Sequence, residues 1–86
     1  MSVREFTLEV DWAIFAGRKA DERRARRYLE RLRGGMHWRE LSGRQMRHDR
    51  DVISIPVGRA YRITCDREVT WVRVQTHEAY NGAKPR

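Results

Sequence analysis

An α+β fold, with helical structure packed on one face of an antiparallel sheet, is predicted by three features of the sequence. Apolar residues recur at helical spacing in one long segment only, from about residue 18 to 33. From residue 52 onward the spacing changes to strict alternation, in three runs separated by short turn-forming pairs. A shorter alternating run precedes the helix, so the order is strand, helix, then a three-stranded meander.

In the first run Phe6, Leu8 and Val10 alternate with Thr7 and Glu9, which gives a strand with one buried face. Asp11 offers a cap to a short helical turn over 12–16, and Gly17 interrupts it. In the long helix Ala25, Tyr28, Leu29 and Leu32 make one apolar stripe. Arg23, Arg27 and Arg31 form a positive ridge on the opposite side, suited either to an RNA backbone or, in the favoured reading, to a solvated face paired with Glu22 and Glu30. Gly34-Gly35 ends the helix, where left-handed backbone is wanted. Residues 36–51 read as an irregular polar connector, anchored by Trp38 and Leu41 and made basic by Arg39, Arg44, Arg47, His48 and Arg50.

Ile53, Ile55 and Val57 share a face of the strand over 52–57. Pro56 cannot donate to a ladder, so it belongs at an edge or a bulge. Gly58-Arg59, glycine first, predicts a two-residue type II′ hairpin. Residues 60–65 return as the next strand, Asp66-Arg67 turns again, and 69–75 form the last strand. One domain is expected over 1–81, with a frayed basic tail over 82–86.

Of the 86 residues 40% are apolar and 36% charged, so the core is feasible but small. No apolar run approaches the ~20 residues needed to cross a bilayer. Charge begins at Arg4, so neither a secretory signal nor membrane association is expected. Cys65 is the sole cysteine, which excludes an internal disulfide and makes a reducing cytoplasm the expected location. Lys+Arg number 19 against 12 Asp+Glu, a net charge of +7, and all the cations but Lys19 and Lys84 are arginine. Arginine's planar fork matches phosphate and carboxylate, so the expected partner is a polyanion or an acidic protein. His37, His48, His77 and Cys65 lack a recognised zinc spacing, and no glycine-rich phosphate loop is present. Neither metal nor cofactor is expected.

Strand parity places the chemistry. Ala60, Arg62 and Thr64 share one face and Tyr61, Ile63 and Cys65 the other, while Val69, Trp71, Arg73 and Gln75 share a face that extends to His77. Arg62 and Arg73 thus interrupt apolar strands, with His77 and Tyr80 just beyond. Arginine binds phosphate through paired N–H groups, histidine moves a proton near neutral pH, and tyrosine stacks on a base. Those parts suffice to cleave RNA through its own 2′-OH.

The stretch from Ile53 through Gly58-Arg59-Ala60-Tyr61-Arg62-Ile63, the strand around Val69 to Val74, and Thr76-His77-Glu78-Ala79-Tyr80-Asn81 together resemble the RelE/ParE superfamily of bacterial toxin–antitoxin toxins. Trp38-Arg39-Glu40-Leu41-Ser42-Gly43 is similar to the connector that precedes the meander in that family. The resemblance implies a small microbial-RNase-like sheet. Its ribonuclease members cut mRNA in the ribosomal A site, its ParE-type members poison DNA gyrase, and a cognate antitoxin protein wraps the toxin. It implies that Arg62 contacts the scissile phosphate and that His77 and Tyr80 transfer protons or stack, with Arg73 a looser match. His48 and Arg50 lie near the region where some members carry basic catalytic groups before the second strand, and Arg47, His48, Arg50 and Arg59 are the expected RNA contacts. The helical part is shorter than the family's usual two-helix hairpin, and Glu78 is the one acid near the site. The leading expectation is a metal-independent endoribonuclease toxin acting on ribosome-associated mRNA. A gyrase inhibitor that cleaves nothing and a basic nucleic-acid-binding module are the alternatives.

Overall fold

Residues 4–77 are described by a computed structural model. Tyr80, Glu78 and the predicted tail over 82–86 lie outside the described residues. In chain order the elements are β1 (Thr7–Glu9), a 3-10 turn (Trp12–Phe15), α1 (Lys19–Arg33), a second 3-10 turn (Trp38–Leu41), β2 (Arg44–Gln45), β3 (Val52–Val57), β4 (Tyr61–Asp66) and β5 (Trp71–Thr76). The sheet is five-stranded in the order β1-β5-β4-β3-β2. β1 lies parallel to β5, and every other pair is antiparallel. The α+β class and the β3–β4–β5 meander are those predicted. The parallel docking of β1 at the far edge joins residues 64 positions apart and has no local signal in the sequence.

The apolar stripe of α1 does what its spacing dictates: Ala25, Leu29 and Leu32 are buried and Tyr28 half-buried. They meet the inward residues of the sheet, Ile53, Ile55, Val57, Ile63, Cys65 and Val72 among them, in one core. Each of the fully buried isoleucines contributes about 1.5–3 kcal/mol by leaving water. Phe15, from the first 3-10 turn, stacks on Tyr61 with ring centroids 4.4 Å apart, and the Tyr61 hydroxyl donates to the Ile14 carbonyl at 3.0 Å. Asp11 caps that turn by accepting from the Ala13 N–H. The turn is 3-10 rather than α and ends one residue sooner than predicted, with Ala16 at φ 46°.

The Gly34-Gly35 stop is a Schellman motif. Met36 N–H donates to the Arg31 carbonyl, Gly35 N–H donates to that of Leu32, and Gly35 takes φ +95°. The residue 36–51 connector is more ordered than its composition suggests. Trp38 and Leu41 are buried as expected, and the Trp38 indole N–H donates to the Arg67 carbonyl at 3.2 Å. A Cβ on Gly43 would stand 2.7 Å from the Trp38 carbonyl oxygen, so only glycine lets this turn close onto β3. β2 then adds two residues to the sheet edge, too few for periodicity to register.

Two turns of the meander differ from the predicted pattern. Val57 pairs with Tyr61, so the hairpin loop has three residues, 58–60, and β4 starts at Tyr61 rather than Ala60. Gly58 does supply the positive φ, +63°. The β4–β5 turn runs past Arg67, and Val69, buried in the core, lies in it at φ 55° instead of opening β5. Asp66 explains that longer turn, because its carboxylate collects Thr70 N–H, Trp71 N–H and the Thr70 hydroxyl. β3 is neither the edge strand nor the bulged one that Pro56 led one to expect, since β2 lies outside it, but Pro56 itself falls past the end of β2. The Val52 carbonyl accepts from Met46 on the β2 side, and the same alternation aims the Pro56 nitrogen to that side, past the end of β2. Among the described residues no helix is long and apolar enough to cross a membrane.

Candidate functional site

α1 covers one face of the sheet, and the candidate chemistry lies on the other. Directly paired residues share a face, so the register defines a row across all five strands: Glu9, Arg73, Thr64, Ser54 and Arg44. The adjacent row holds Gln75, Arg62 and Pro56. Arg62 and Arg73 therefore occupy one surface, as strand parity predicted, and Arg44 joins them from β2.

His77 follows β5, and its N–H donates to the Ala60 carbonyl at 2.7 Å, which ties it to the hairpin loop. That bond brings the imidazole to Arg62. Arg62 Nε donates to His77 Nδ1 at 3.0 Å, while Arg62 Nη1 donates to Ser54 Oγ at 2.9 Å. A guanidinium has only donors, so His77 Nδ1 offers a lone pair and the neutral ring carries its hydrogen on Nε2. Arg62 and His77 are half-buried, and Ser54 and Thr64 are buried between the arginine-bearing strands.

Arg73 is exposed and points toward Glu9, Nη2 to Oε2 3.2 Å. No hydrogen bond joins it to Arg62 or His77. The predicted cluster thus divides into a hydrogen-bonded Arg62–His77 pair and a neighbouring cation that an acid partly neutralises.

Arg59 lies at the hairpin tip, where it lines a groove of about 500 Å³ with Arg18, Tyr61, Thr76 and His77. Arg47, His48 and Arg50 are exposed in the loop between β2 and β3, at the other end of β3. A strand of this length spans roughly 17–20 Å, so these three do not converge with Arg59. Arg47 and Arg50 instead line a separate groove of about 460 Å³ with Trp38, Arg39 and Arg44. Trp71 is half-buried on the Arg73 face, whereas Trp38 is a core anchor. The helix ridge of Arg23, Arg27 and Arg31 is exposed, but Glu22 pairs with Arg26, not with the ridge. No group of three or more His, Cys, Asp and Glu among the described residues could hold a metal ion.

Ser54, Arg44 and Glu9 belong to this surface although the sequence reading did not single them out. Ser54 had a signal: it is the polar member at the middle of an apolar strand, on the face opposite Ile53 and Ile55. Glu9 and Arg44 had none: Glu9 reaches the surface through the distant β1–β5 pairing, and Arg44 through a strand of only two residues.

A family model described as a ParE-like toxin domain matches residues 19–82, from the first residue of α1 through β5 and across Ser54, Arg62, Arg73 and His77. No curated protein and no solved structure matches the chain.

Proposed function

The chain belongs to the ParE-like toxin domain family, a toxin of a toxin–antitoxin system with a cognate antitoxin as partner, and from that premise we propose that it is an endoribonuclease acting on ribosome-associated mRNA in the cytoplasm. The observation that carries this reading is the Arg62–His77 hydrogen bond on a face with two further arginines. An inhibitor that only binds has no need of a proton-transferring ring held by a phosphate-binding side chain.

The mechanism follows from competition for Arg62. A phosphodiester is a stronger acceptor for a guanidinium than a neutral imidazole is, so an RNA phosphate draws the Arg62 N–H groups away from His77. Nδ1 is then uncovered as a base and takes the proton of the adjacent ribose 2′-OH. The 2′-oxygen attacks phosphorus, the bond to the 5′-oxygen breaks, and that oxygen leaves protonated by water. The products are a 2′,3′-cyclic phosphate and a 5′-hydroxyl. Arg62 and Arg73 stabilise the charge that builds on the phosphoryl oxygens. Tyr80 stacks on or orients a base, Arg59 holds the backbone beside the site, and Arg47, His48 and Arg50 contact the strand farther along β3.

His77→Ala tests the reading. Cleavage of single-stranded RNA should fall by roughly 10²–10⁴, the usual contribution of a general base. Growth arrest should be lost with it while the fold and RNA affinity persist. Toxicity that survives the substitution would assign the toxin to a protein target such as gyrase.

A further inference from the structure

We infer that Ser54 is a positioning residue: its hydroxyl holds the Arg62 guanidinium against His77 and thereby selects which ring nitrogen of His77 carries the hydrogen. Ser54 is only 7% exposed, in the middle of an apolar strand where packing alone favours valine or threonine. A buried hydroxyl is costly unless it is bonded, and its partner here is Arg62 Nη1 at 2.9 Å. Arg62 lies on β4 opposite Pro56, whose side chain has no acceptor to offer a guanidinium. Ser54 is two residues away from Pro56 on the same face, toward Thr64, whereas His77 lies toward Ala60. Among the described residues the guanidinium is thus gripped from two directions, at Nη1 by Ser54 and at Nε by His77. Two fixed points set its plane, so the Nε–H is aimed at Nδ1 rather than shared among rotamers.

Without the Ser54 acceptor the guanidinium loses one of those points. The imidazole is then freer to carry its hydrogen on Nδ1, the tautomer that Arg62 now excludes. The inference rests on the ribonuclease reading only for what the tautomer achieves in catalysis; the positioning itself is read without substrate.

The experiment measures the imidazole nitrogen shifts of His77 in ¹⁵N-labelled protein, at a pH where the ring is neutral, for the unaltered chain and for Ser54→Thr, Ser54→Val and Ser54→Ala. Threonine and valine have nearly the same shape and differ in the hydroxyl, so their comparison separates hydrogen bonding from packing. The unaltered chain and Ser54→Thr should show Nδ1 as the unprotonated nitrogen. Ser54→Val and Ser54→Ala should lose about 2- to 10-fold of that tautomer preference, the range that one net hydrogen bond supports. Should alanine prevent folding, the threonine and valine forms still decide. The inference is overturned if valine retains the unaltered ratio, or if threonine and valine shift together. Because no RNA is present, a chain that cleaves nothing still gives an answer.

Discussion

Glu9 and Arg73 stand directly opposite each other across the parallel β1–β5 pair, with Glu9 Oε2 3.2 Å from Arg73 Nη2. β1 thus brings the one carboxylate in the row Glu9–Arg73–Thr64–Ser54–Arg44 next to a cation that the proposed function assigns to phosphate. Both side chains are well exposed, 50% for Arg73 and 70% for Glu9, so their pairing contributes less than about 1 kcal/mol to folding. Its larger effect is on what Arg73 can bind. Glu9→Gln should leave the melting temperature nearly unchanged and tighten single-stranded RNA binding. One more phosphate contact should steepen the log–log salt dependence by about 0.7. Fluorescence anisotropy over a salt series measures both, and an unchanged slope would remove Arg73 from the RNA surface.

The Asp66 turn sets an acid-side stability prediction. Burial opposes ionisation of Asp66, but hydrogen bonds from the Thr70 hydroxyl, Thr70 N–H and Trp71 N–H outweigh it and hold the carboxyl below its ordinary value. A depressed folded value means that this stabilisation is present above the unfolded carboxylate value of about 3.9 and is lost as pH falls through the lower folded one. Asp66→Asn should cost about 1–2 kcal/mol at neutral pH and flatten the acid limb of the stability curve. Urea melts between neutral and acid pH check it; parallel acid limbs for the two proteins would contradict it.

Much of this surface was legible because strand parity is local. Alternation alone put Arg62 and Arg73 on the face away from Ile63 and Val72, and the register confirms it. The turns were less legible, since side chains rather than backbone-permissive residues set them. Asp66 draws Val69 into left-handed backbone that nothing in a valine advertises. Contacts distant in sequence left no trace: β2 has two residues, and β1 finds β5 only in the folded chain. The Arg62–His77 bond depends on the His77 N–H reaching the Ala60 carbonyl, one step beyond the Tyr61–Thr76 pair that ends the β4–β5 ladder, where no strand was predicted.

Two positive-φ residues separate backbone strain from packing. Ala16 is exposed at φ 46°, and Val69 is 2% exposed at φ 55°. Left-handed backbone costs an L-residue roughly 1–2 kcal/mol, a cost that glycine escapes while giving back part in unfolded-state entropy. Ala16→Gly loses little packing, so it should stabilise by about 0.5–1 kcal/mol, roughly 2–8 °C in melting temperature. Val69→Gly gains the same relief but forfeits a buried side chain worth about 1.5–3 kcal/mol, so it should destabilise by about 1 kcal/mol. Calorimetry on the pair checks the signs, and a stabilised Val69→Gly would mean that strain outweighs burial in this turn.

Cys65 gives the alkaline counterpart. It is buried on β4, and burial first, then the neighbouring Asp66 charge, pushes its thiol from 9.0 up to about 12, with Arg4 opposing weakly. A raised folded value for an acid means that stability is intact below the unfolded thiol value and falls as pH rises from there toward the folded one. In that interval the unfolded chain has released a proton that the folded chain keeps. The slope from this group approaches about 1.4 kcal/mol per pH unit. The same burial withholds the thiolate, so a disulfide reagent at about pH 8 should label Cys65 only after denaturant is added. Cys65→Ala should lose roughly 1 kcal/mol at neutral pH through the small cavity left behind, yet show a shallower alkaline decline. Rapid labelling of the folded protein, or identical alkaline slopes for the two chains, would show that β4 opens far more readily than the burial of Cys65 in the core implies.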